Sequence, residues 1–100
     1  MAFKPIYAFI DTMKGKNIRF KRAGQFSNLT NQFGISLAHG TNMQVPAGAL
    51  GHIYEVRGGT LFVGFGQNLK LNPPKYSSAS YYSATIQVYL DDMDILEIEV

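Results

Sequence analysis

Residues 45–66 read VPAGALGHIYEVRGGTLFVGFG. Two apolar runs rich in β-branched and aromatic residues, 52–57 and 60–65, flank Gly58-Gly59. A two-residue hairpin loop needs positive φ at both central positions, and a Gly-Gly pair supplies them without steric cost. Val45-Pro46-Ala47-Gly48 reads as the turn that leads into the hairpin. In the second strand Leu61, Val63 and Phe65 share one face, and Phe62 points the other way and needs its own cover. Gly64 beside Phe62 marks a bend or a close backbone approach.

Other strands read outward from this hairpin. Asn17-Ile18-Arg19-Phe20-Lys21 alternates, with Ile18 and Phe20 inward. Residues 84–90, ATIQVYL, put Ala84, Ile86, Val88 and Leu90 on one face and Thr85, Gln87 and Tyr89 on the other. Residues 95–100, ILEIEV, put Leu96, Ile98 and Val100 inward and Glu97 and Glu99 outward. An acidic turn, Asp91-Asp92-Met93-Asp94, separates these two strands. Residues 5–14 permit either a short helix opened by Pro5 or a strand. Residues 23–44 and 66–83 read as loops, and loops of such length in a small domain usually carry function. Residues 1–100 then form a single, mainly β domain, a small barrel of five to six antiparallel strands with long loops.

The pattern resembles the small SH3-like barrels, including KOW-type modules. The matching positions are Gly48, Gly51, Ile53, Val56, Leu61, Val63, Phe65, Leu96 and Ile98, spread over about half the chain. The 66–83 loop is longer than that pattern. The resemblance implies a binding fold, which by itself fixes no activity.

Composition narrows the chemistry. With no Cys, the chain has neither a disulfide framework nor a thiolate metal site, which fits a reducing, cytoplasmic setting. No apolar run is long enough to span a membrane as a helix. Residues 1–16 read as part of the fold rather than as a signal peptide, and the sequon at Asn28 as chance. No P-loop, dinucleotide-binding glycine pattern or nucleophile elbow is present. His39 and His52 lack metal-ligand spacing, and the 91–94 carboxylates lack the pattern of a calcium loop. We therefore expect no enzyme, no metal and no cofactor.

Two binding surfaces remain. Charged residues are 16% of the chain, low for a globular surface. With it go five aromatics expected to face out or to lie in the long loop: Phe62, Tyr76, Tyr81, Tyr82 and Tyr89. Tyrosines of this kind are enriched at interfaces. The leading expectation is a non-catalytic protein-interaction module that contacts a protein partner or its own copy through these residues, with loop 23–44 contributing. A compact chain of this style suits a phage or mobile-element accessory protein, such as an inhibitor of a host protein or a virion component. The alternative is nucleic-acid binding through Lys14, Lys16, Arg19, Lys21 and Arg22, joined by Lys70 and Lys75, with the tyrosines stacking bases. Residues 1–22 carry a net +5 and residues 91–100 a net −5. If the first and last strands are neighbours, Arg19 and Lys21 face Glu97 and Glu99, and most of the positive field is cancelled internally.

Overall fold

The computed structural model describes residues 2–7, 11–30, 42–78 and 81–99. Among the described residues eight strands form one curled sheet: β1 (Phe3–Pro5), β2 (Asn17–Phe20), β3 (Gly24–Thr30), β4 (Asn42–Val45), β5 (Leu50–Arg57), β6 (Thr60–Phe65), β7 (Ala84–Val88) and β8 (Leu96–Glu99). Their order is β1-β8-β2-β5-β6-β7-β3-β4, and every neighbouring pair is antiparallel. The mainly β class, consistent with a small barrel, is as the sequence reads.

Three strands come from stretches that sequence alone leaves as loop or undecided. β3 lies within 23–44, β4 starts there and ends at Val45, and β1 lies in the N-terminal segment. Residues 23–44 are therefore not one long contact loop: β3 hydrogen-bonds β7 on one side and β4 on the other. Among the described residues no α-helix forms. Pro5 closes an edge strand, where its missing N–H costs nothing, and Asp11–Met13 make a single 3-10 turn. The acidic stretch lies within another 3-10 segment, Leu90–Ile95.

The hairpin forms as its glycines require. Gly58 and Gly59 take φ of +57° and +77°, the left-handed values of a primed turn. One face of the sheet gathers the core: Ile18, Phe20, Ile53, Leu61, Val63, Phe65, Ile86, Val88, Leu96 and Ile98 are all buried. Phe20 meets Phe26 edge-on at 5.3 Å and Phe65 at 5.9 Å, so the curl brings β2 and β3 together over the same interior. The β5–β6 register shifts between Ile53 and Glu55. This bulge lets Ile53 and Val56, three residues apart, both turn inward.

The charge expectation holds in half. β2 and β8 are neighbours, Arg19 lies opposite Glu97, and its Nη2 sits 3.0 Å from Glu97 Oε1. Lys21 does not meet Glu99. The same register sets Lys21 level with Ile95, whose carbonyl accepts the Lys21 backbone N–H at 2.6 Å. Glu99 is four residues farther along the strand, about 13 Å away at ordinary strand rise.

Candidate functional site

The sheet's other face carries a row of four residues across four strands. Asn17 pairs in register with His52, His52 with Gly64, and Gly64 with Thr85. A glycine in the row leaves a gap one side chain wide. The ring of Tyr82 fills it, stacked 6.4 Å from His52 and 5.6 Å from Tyr54. Tyr82 is 0% exposed yet lies outside the main core cluster. It is the keystone of a second, thinner apolar layer.

That keystone holds the long 66–83 segment down. The Tyr82 hydroxyl donates to the Tyr76 carbonyl at 2.7 Å and accepts the Tyr76 backbone N–H at 2.7 Å. Farther back, the Leu50 N–H donates to the Leu69 carbonyl at 2.8 Å, and Pro73 is buried. Burial is the largest effect on the Tyr82 phenol. Despite the opposing hydrogen bond with the Tyr76 backbone, its pKa is pushed up to about 12. Burial also raises Tyr54, against a hydrogen bond with Thr85 and with help from the Glu55 charge.

Around Tyr82 the rings continue in both directions. Tyr76 lies 5.3 Å from Tyr82 and 5.4 Å from Tyr81. On the other side Tyr54 lies 6.3 Å from Phe62, and the Arg57 guanidinium covers Phe62 at 5.5 Å. Phe62 pairs with Gln87, whose side-chain carbonyl accepts the Tyr89 hydroxyl. The five aromatics singled out from the sequence thus lie along one face, as a strip running from Tyr81 to Tyr89.

Tyr82 requires a correction, because full burial removes it from any contact surface. Phe62 is half-buried. The residues that meet solvent are Tyr81 at 69%, Tyr89 at 48% and Tyr76 at 43%. Sequence reasoning missed Tyr54, which joins the two halves of the strip. The signal was present: with both Ile53 and Val56 apolar, an unbroken strand cannot bury both.

The basic residues form no single surface. Arg19 is bound to Glu97, and it also lies 4.3 Å over the Phe3 ring. Arg22 reaches Asp94 at 2.7 Å, and Lys14 sits 3.9 Å from Glu55. The Lys70 ammonium donates to the Ala47 carbonyl. Lys16, Lys21 and Lys75 are exposed and have no ion pair among the described residues.

Beneath the strip's Tyr76 end lies a depression of about 200 Å³ lined by Lys14, Gly15, His52, Ile53, Tyr54, Lys75, Tyr76 and Ser77. His52 is 4% exposed, and its Nδ1 lies 2.7 Å from the side-chain carbonyl of Asn17, itself buried. With that oxygen as acceptor, Nδ1 carries the ring proton and Nε2 the lone pair. Burial first, then the Lys75 charge, lower the His52 pKa below its ordinary value, and Glu99 opposes them. His39 lies outside the described residues.

No family model, curated protein or solved structure matches the chain. Among the described residues no helix is long and apolar enough to cross a membrane.

Proposed function

We propose that the protein is a non-catalytic interaction module, of the small SH3-like barrel type, that applies its aromatic strip to the surface of a protein partner. The observation that carries this reading is the support beneath the strip. Tyr76 and Tyr81 meet solvent while a fully buried Tyr82 holds the Tyr76 backbone by two hydrogen bonds. Aromatic side chains fixed before binding lose little entropy when a partner covers them. The charge distribution favours protein over nucleic acid, since Arg19, Arg22 and Lys14 already face carboxylates. Such a module suits a cytoplasmic phage or mobile-element accessory protein that inhibits a host protein by occupying its surface. Self-assembly through the same strip, as in a virion component, is the variant of this reading.

Nucleic-acid binding is the second reading, favoured by Lys75, which lies beside Tyr76 and is unpaired among the described residues. Affinity against salt separates the two. Phosphate contacts give a steep log–log decline, and a protein partner held by rings gives a shallow one.

The test uses Tyr81→Ala/Tyr89→Ala, which changes exposed residues at the two ends of the strip. Parent and variant are immobilised, and partners from host lysate and self-association by sedimentation are compared. Loss of a partner or of the oligomer in a variant with parental circular dichroism supports the reading. Equal recovery by both proteins sinks it.

A further inference from the structure

The depression at His52 differs from the strip in chemistry. Two of its walls are lysines, one is a buried imidazole, and among the described residues no carboxylate lines it. We propose that it is a binding site for one small oxyanion, a carboxylate or a phosphate, seated between the Lys14 and Lys75 ammonium groups against the His52 ring.

Size and charge both point that way. At about 200 Å³ the space is below the range of drug-sized pockets, yet several times the volume of one water. Lys75 has no ion pair among the described residues, and Lys14, paired with Glu55 at 3.9 Å, is the partly offset second cation. The unpaired Lys75 ammonium, with Lys14 partly offset by Glu55, gives the concavity a positive potential that a bound anion relieves. Ser77 on the same wall supplies a hydroxyl donor.

His52 makes the site responsive. Its ring is fixed by Asn17 at Nδ1, so only Nε2 changes protonation state. The groups facing it are Lys75, Glu99, Asn17 and the rings of Tyr82 and Tyr54, with Lys14 on the pocket wall. Burial first, then Lys75, favour the neutral imidazole, and Glu99 opposes them. An oxyanion offsets the Lys75 charge, adds an opposite charge beside the ring and favours the imidazolium. Binding is then accompanied by proton uptake at Nε2, and it tightens as the pH falls.

The site does not depend on the identity of any partner of the strip, because free ions probe it. We would follow the His52 Cε1–Hε1 NMR signal against pH in sodium chloride, sodium phosphate and sodium acetate at matched ionic strength. His39→Gln identifies the signal. Phosphate or acetate is expected to raise the His52 midpoint by about one unit relative to chloride. Lys75→Ala is expected to weaken the ion's apparent affinity about fivefold or more, whereas Lys21→Ala leaves it unchanged. A response to both ions supports the site and shows that a carboxylate suffices. A response to phosphate alone supports it and assigns the phosphoryl group. No shift with either ion overturns the proposal, as does equal weakening by Lys75→Ala and Lys21→Ala. Tyr81→Ala/Tyr89→Ala leaves the ion response intact, so failure of the strip and failure of this site are distinguishable.

Discussion

The ring of Tyr82 occupies the place where Gly64 has no side chain: a Cβ built on that glycine falls 2.4 Å from Cγ and 2.5 Å from each Cδ. Gly64→Ala therefore has to push the ring off the sheet. We expect a loss of about 1–3 kcal/mol, the usual range for overfilling a close-packed site. Urea unfolding measures the loss, and amide exchange locates it. Residues 66–78 are expected to lose protection before the main core does.

Tyr82→Phe keeps the ring and removes the hydroxyl that serves both polar groups of Tyr76. The expected cost is about 1 kcal/mol, because the two bonds are only part-buried and water can take the place of the hydroxyl. The alkaline limb gives a second readout. The folded phenol titrates near 12 while an unfolded tyrosine titrates near 10. The unfolded state therefore releases its proton first. The contribution of Tyr82 is complete below pH 10 and is lost as the pH rises toward 12. Unfolding free energy against pH should decline less steeply there in the Phe variant.

His52 acts on the acid side. Its folded pKa lies below the ordinary 6.5, so the unfolded chain binds the extra proton more readily. Stability from this group is present above pH 6.5 and falls as the pH drops through the folded value. His52→Asn retains an amide N–H near Nδ1 and removes the titration. Its stability profile between neutral and mildly acidic pH should be flatter than that of the parent, as read by melting temperature at matched ionic strength.

Two ion pairs should behave differently. Arg19 and Glu97 side chains are 42% and 20% exposed, are directly opposed across two strands and share two hydrogen bonds. Arg22 and Asp94 are 64% and 72% exposed. Double-mutant cycles to alanine should give a coupling of about 0.5–1 kcal/mol for the first pair and about 0.2 kcal/mol or less for the second. Added salt should weaken the first only in part.

The hairpin was legible because three signals agree at β5–β6: the Gly-Gly pair, alternating Leu61, Val63 and Phe65, and β-branched residues on both sides. β2, β7 and β8 were legible by the same alternation. β3 was not, since GQFSNLT buries Phe26 among polar and small neighbours and shows no period. Its place is set by hydrogen bonds to β4 and β7, which no local pattern announces. The candidate site was partly legible. The tyrosines are visible as a cluster, but whether a loop tyrosine faces in or out depends on a vacancy at Gly64, distant in sequence. The charge cancellation failed at Lys21 because strand register, which decides which charges meet, was unknown beforehand.

β8 hydrogen-bonds to β2 on one side and to β1 on the other, and among the described residues β1 joins the sheet through β8 alone. During synthesis β1 leaves the ribosome before β8 and stays unpaired on this sheet until β8 follows. A nascent chain halted before Leu96 leaves β2 with an open edge, and deleting β8 disconnects β1 as well. Completion of this sheet thus waits for β8. A change that hinders β8 would be felt at β1 and β2 at once.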